Sequence, residues 1–191
     1  MTKRMRTQKK VVLALWLCVV AVASYTLLFH SPWIYATLTT LLGGNTITAY
    51  IILLLLGSLR GFTLMPATIL IVVGLLFMPA LPLFIVIMAG VVISAISVFY
   101  FSEYLRLDTL FNKKHKKLLD KGRDYLNTYE LPVITLWSMA PFLPTDVISY
   151  LAGTLKVNVY KFILGITLGE SITCALYIWG GKAALHLFGI V

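Results

Sequence analysis

The sequence predicts an all-α integral membrane protein: transmembrane helices, two opposed re-entrant segments of broken helix, and a basic amphipathic helix connecting them. Three observations predict it. First, 60% of the 191 residues are hydrophobic and only 12% are charged, whereas a soluble domain is about 45–50% apolar and about 25% charged. Second, several apolar stretches are interrupted by proline. Third, the bases behind the net charge of +9 cluster beside apolar stretches. A soluble globule of this size cannot hide so much apolar surface. Disordered, collagen-like and disulfide-scaffold readings fall on composition. A nucleic-acid partner is not expected, because no hydrophilic fold surrounds the basic clusters.

The elements follow in order. Lys3, Arg4, Arg6, Lys9 and Lys10 precede a first apolar stretch at residues 11–29, close to the roughly 20 residues a crossing needs. Ala21-Val22-Ala23 before Ser24 also resembles a secretory cleavage site. An uncleaved anchor is the favoured reading, since the rest of the chain is equally apolar. Bulky Leu17 before Cys18 argues against a lipoprotein. Residues 30–45, with Pro32, Gly43, Gly44 and Asn45, are expected to turn, and residues 47–59 to form a second span. Further apolar stretches lie at 62–77, 83–101 and 131–178, the last broken near its middle.

Pro66, Gly74, Pro79 and Pro82 punctuate one of these regions, and Pro132, Pro141 and Pro144 another. Proline removes a backbone donor and clashes with the preceding turn. Broken helix in hydrocarbon is tolerated only where protein or water covers it. Re-entrant segments at about 62–82 and 131–153 are therefore expected, with ordinary kinked spans as the alternative. The spacings echo one another: Pro66, Gly74 and Gly90 against Pro144, Gly153 and Gly169. Interrupted segments at matching places point to a repeat with a site at its interface. The resulting plan is a basic tail and two spans (1–59), a repeat domain (60–181) and a C-terminal tail (182–191).

Residues 105–127 are the polar part of the chain. Leucines and aromatics recur there near helical spacing, with lysines between them, as in a basic amphipathic helix lying among headgroups. Lys113, Lys114, Lys116 and Lys117 form its anionic-lipid surface; a merely solvated helix is the alternative. The positive-inside rule puts both basic clusters, and so the N-terminus, on the cytoplasmic side. An even number of crossings must separate them. Two spans, a re-entrant dip and one more span give an odd number, so the crossing count stays open.

Ionisable groups in apolar sequence are expensive and usually face the protein interior. Arg60, Glu103, Asp146 and Glu170 stand out as candidates for a lipid or proton pathway. Arg60 sits at a helix end, where it either faces the site or snorkels to the interface. Glu103 adjoins the basic segment and reads as interfacial. Asp146 follows Pro144, where helix restarts; it is either a cap or a carboxylate at a re-entrant tip. Glu170 lies mid-span beyond Gly165 and Gly169 and has to be protonated, hydrogen-bonded or paired, with Arg60 as one partner. Cys18 and Cys174 read as small buried hydrophobes. His30, His115 and His186 share no ligand spacing, so neither a metal nor another cofactor is expected. No nucleophile–base constellation appears, and an enzyme is not expected.

Arg60-Gly61-Phe62, Pro66, Gly74-Leu75-Leu76-Phe77 and Gly90, followed by Pro141-Phe142-Leu143-Pro144-Thr145-Asp146-Val147-Ile148-Ser149-Tyr150-Leu151-Ala152-Gly153, resemble the DedA / SNARE-associated Golgi protein superfamily, or VTT domain. The resemblance covers residues 60–181. It implies two facing re-entrant segments whose breakers are Pro66, Gly74, Pro141, Pro144 and Gly153. It also implies movement of a phospholipid or an isoprenoid lipid carrier between leaflets, in some bacterial members linked to the proton gradient. Ser138 stands where members often carry Arg, and the first segment lacks their acidic residues. The function expected is scramblase- or flippase-like lipid translocation serving membrane homeostasis, in a bacterial plasma membrane. A proton-coupled transporter of a small solute and a structural assembly partner are the alternatives. A homo-oligomer is left open.

Overall fold

The computed structural model describes residues 3–29, 31–105, 129–140 and 143–187. These form helices α1 (Lys3–Phe29), α2 (Ser31–Leu42), α3 (Thr46–Thr63), α4 (Ala67–Phe77), α5 (Ala80–Leu105), α6 (Glu130–Met139), α7 (Thr145–Leu155) and α8 (Val159–Leu187). No strand occurs among the described residues. Among the described residues, three helices are long and apolar enough to cross a membrane: Thr46–Thr63, Ala80–Leu105 and Val159–Ala184. Their outer faces carry Leu55, Ile85, Leu164 and Leu176, each at least half exposed. Lipid, not water, is the solvent such a surface suits. The amphipathic helix expected at 105–127, its four lysines and Pro141 lie outside the described residues, apart from Leu105, which closes α5.

The helix starts follow local chemistry. Asn45 caps α3, its side chain accepting from the Ile47 N–H at 2.9 Å. Asn158 does the same at α8, accepting from Tyr160 and Lys161. Pro66 and Pro144 occupy the N-cap positions of α4 and α7, both in extended conformation. Two expectations change. Residues 30–45 are not simply a turn: Ser31–Leu42 is helical, because Pro32 falls in the first turn, where no intrahelical N–H is lost. The stretch at 62–77 is not one segment, because α3 runs on to Thr63 and ends at Leu64 in the left-handed region (φ 54°).

Packing gives the two halves the same design. α3 and α5 run parallel in close contact: a Cβ at Gly57 would lie 3.4 Å from the Gly90 Cα, and the Gly61 N–H donates to Ser94 Oγ at 2.9 Å. α6 and α8 also run parallel. Gly165 rests on Ile134, Gly169 rests on Ser138, and Thr173 Oγ1 donates to the Ser138 carbonyl at 3.2 Å. Small residues allow this approach, and in lipid close packing rather than water exclusion drives helix association. α4 therefore has to return the chain antiparallel to α3, and α7 likewise returns from α6. The long helices α5 and α8 are antiparallel, since Phe99 meets Phe162 at one end and Phe84 meets Trp179 at the other. Each short helix also lies on the long helix of the opposite half: Gly153 of α7 against Phe99 and Ser102 of α5, and Leu75 of α4 against Gly181 of α8. The halves are thus related by inversion.

The tips of both helix pairs stop level with the middle of the long helices. The α3 tip meets Ser94 and Val98, and the α6 tip meets Thr173. α1 closes one flank, its Trp16 ring packing on Phe101 and Tyr150. At the same end Lys9 stacks on Tyr104 and donates to its carbonyl. Glu130 there pairs with Lys161 at 2.8 Å, tying the start of α6 to that of α8.

Candidate functional site

Where the two tips meet, a polar cavity of about 230 Å³ lies inside the apolar bundle. The first turns of both α4 and α7 line it, together with Arg60, Asp146, Glu170 and Ser138. It is smaller than the roughly 300–1,000 Å³ of pockets that enclose drug-sized ligands, yet holds several waters at about 30 Å³ each.

Arg60 is held at the end of α3, where its carbonyl accepts from Thr63 Oγ1 (3.0 Å) and the Met65 N–H (3.2 Å). Its guanidinium does not snorkel to the interface. It is 5% exposed, and its Nη2 lies 3.4 Å from Glu170 Oε1. Glu170 sits about 16 Å along α8 from Val159, at 1.5 Å per residue, in the middle of the helix. Its Oε1 also accepts from the Thr145 hydroxyl, and its Oε2 faces Cys174 Sγ at 3.5 Å. Pairing with Arg60, one of the alternatives the sequence left open, is the arrangement present. Arg60 Nε is buried with no hydrogen-bond partner. A buried donor left unmade costs about 1–3 kcal/mol, so a cavity water or an anionic group belongs beside it.

Asp146 is 5% exposed. Pro144, not Asp146, holds the N-cap position, and no side-chain cap bond is formed. The carboxylate lies against Gly61, whose added Cβ would come 3.1 Å from Oδ1, and it interacts electrostatically with Arg60. Arg60 is the only cation among the described lining residues, and it faces two carboxylates.

The other candidates fall elsewhere. Glu103 stands apart in a surface hollow with Lys9 and Lys156. Pro66 and Pro144 begin the short helices that reach the cavity. Gly74 and Gly153 are buried in helix packing instead. Three participants were not among the sequence-based site candidates. Thr145 holds Glu170; Ser94 receives the Gly61 N–H; Tyr150 donates to the Gly61 carbonyl at 2.9 Å. Each is an ordinary polar residue until the fold aims it. Cys174 is buried, as expected, but also touches Glu170, whereas Cys18 is exposed rather than buried.

A family model described as the VTT domain matches residues 65–183, more than half of the chain. No curated protein and no solved structure matches it.

Proposed function

The chain belongs to the VTT-domain family, the domain of DedA and SNARE-associated Golgi proteins, and from that premise we propose that it moves phospholipid between leaflets. The observation that carries this reading is the polar cavity at the meeting of two inverted helix pairs, with a buried guanidinium whose Nε is unpaired.

In this reading α3–α4 and α6–α7 each enter the bilayer part-way and return. Helices α4, α6 and α7 are about 15–17 Å long at 1.5 Å per residue, about half the roughly 30 Å of hydrocarbon. α1 and α5 are then the two full crossings between the basic N-terminus and the basic segment after Leu105, because α3 is the inward limb of the first dip. That even count places both clusters on one face, as the positive-inside rule requires. Lys113, Lys114, Lys116 and Lys117 meet anionic headgroups on that face.

The cavity admits a headgroup and leaves the tails in lipid. Its formal charge of one cation against two carboxylates favours a headgroup bearing both signs. A phosphate monoester, carrying about −1.5 to −2 charges near neutral pH, meets repulsion there. This argues for a phosphodiester phospholipid over an isoprenoid carrier that ends in a monoester.

Fluorescent-lipid exchange in proteoliposomes, across zwitterionic, anionic and isoprenoid phosphate headgroups, tests the proposal. Exchange is expected above protein-free vesicles and fastest for a zwitterionic headgroup; folded protein that leaves exchange unchanged for every lipid overturns it. Asp146→Asn keeps the side-chain volume while removing a charge. It is expected to lower exchange several-fold with melting in detergent unchanged. An Asn variant that exchanges lipid like the wild type assigns Asp146 to packing alone.

A further inference from the structure

Beside the polar cavity runs a second, apolar hollow of about 300 Å³ between α4 and α8. Its floor is Leu75, its rims are Val72 and Leu176, and its lower end is Gly180-Gly181. The two hollows share Thr68, Ile71 and Tyr177 in their walls, so a charged hollow and a greasy one adjoin. We propose that this hollow is the lateral slot for an acyl chain of the phospholipid whose headgroup enters the Arg60 cavity. The assignment rests on the translocation reading and adds to it the doorway and the substrate's second half.

The inverted design makes the slot more than a chance gap. α7 lies on α5 as α4 lies on α8, yet the two interfaces differ. At α5–α7 a Cβ on Gly153 would land on the Phe99 carbonyl oxygen and Ser102 Oγ, leaving no space, and Trp16 of α1 covers the neighbouring Tyr150. At α4–α8 the contact is with a flexible side chain instead: a Cβ on Gly181 would lie 2.9 Å from Leu75 Cδ1, and one on Gly180 would meet nothing within 4 Å. One side of the cavity is shut by packing and the other is open to the bilayer at the end away from Lys9. A headgroup in the cavity can keep its tails in lipid through the α4–α8 side. The slot's lining is mostly apolar, and Val72 and Leu176 on its rims are exposed, as suits a chain sliding in from hydrocarbon rather than a water-soluble ligand.

The test uses the full chain in vesicles containing a phosphatidylcholine with a photoreactive group in its acyl tail. Labelling is mapped by mass spectrometry and exchange is measured in the same preparations. Cross-links are expected on Leu75, which is 9% exposed, and on half-buried Thr68 between the two hollows. Gly180→Leu projects a side chain into open space and is expected to remove those cross-links and slow exchange several-fold, with detergent melting unchanged. Leu176→Trp, which narrows the slot from its rim, is a second plug should the first fail to fold. Absence of cross-links on Thr68 and Leu75 in the wild type, or their persistence in a folded plugged variant, overturns the slot. A wild type that exchanges lipid no faster than its plugged variants also overturns it while leaving translocation intact. Cross-links that the plug removes in a protein without exchange activity uphold the slot and sink translocation instead.

Discussion

Replacing Arg60 by Gln is expected to destabilise the folded protein by about 3–5 kcal/mol, the range for removing one partner of a buried ion pair. The guanidinium is 5% exposed and faces two carboxylates, Glu170 at 3.4 Å and Asp146, with which it interacts electrostatically. Without it, both acids remain in an apolar bundle with no cation among the described lining residues. Glu170→Gln is expected to cost less. Its amide still accepts from the Thr145 hydroxyl, and Arg60 keeps Asp146 as a counter-charge. The order of stability is therefore wild type, then Glu170→Gln, then Arg60→Gln. The double variant is expected to recover part of the Arg60→Gln loss, because one orphaned carboxylate is gone. Unfolding of the four proteins in detergent micelles gives the coupling directly, as a double-mutant cycle. Arg60→Gln melting together with the wild type would mean that the guanidinium is not what holds the acids inside.

That pairing was partly legible beforehand, because charge in apolar sequence is informative about depth. Glu170 has no route to water from mid-helix, so it needs a partner, and few candidates exist. The repeat was legible as well: the similar, not identical, spacings of Pro66, Gly74 and Gly90 and of Pro144, Gly153 and Gly169 correspond to two cap positions, two buried short-helix glycines and two long-helix contacts. The packing of α3 was not. An apolar run reports its length, and α3 is long and apolar enough to cross as expected, but it does not report which neighbour it lies along. Only the contacts of Gly57 with Gly90 and of Gly61 with Ser94 set it parallel to α5. Asp146 illustrates a different limit. A carboxylate two residues after a proline has the spacing of a first-turn acid, and sequence cannot say whether it turns back to the backbone or outward to a distant Arg60. Contacts such as Trp16 with Tyr150 join residues far apart in the chain through aromatic packing that no local pattern encodes.

Gly153→Ala and Gly74→Ala change the buried glycines of the two short helices and are expected to differ sharply. At Gly153 the new methyl would fall on the backbone oxygen of Phe99 and on Ser102 Oγ. The oxygen belongs to a helix and cannot step aside, so α7 has to move off α5. Overpacking of this kind costs about 1–3 kcal/mol, and here the upper part of that range applies, because no flexible atom can absorb it. Removing a helical glycine returns about 1 kcal/mol in propensity, leaving a net loss of about 2 kcal/mol. At Gly74 the obstruction is Leu83 Cδ1, the far end of a flexible side chain. A rotamer change relieves it, and the propensity gain leaves the variant within about 1 kcal/mol of wild type. The contrast has a functional edge. α7 carries Tyr150, whose hydroxyl holds the Gly61 carbonyl beside Arg60. Displacing α7 thus loosens the closed side of the cavity, whereas Gly74→Ala leaves that side untouched. Detergent melting together with cysteine accessibility at Ser149 separates the two cases: Gly153→Ala melts earlier and exposes position 149, and Gly74→Ala does neither. Equal behaviour of the two variants would mean that the Phe99 backbone yields as readily as the Leu83 side chain, and the α5–α7 interface would not be a tight closure.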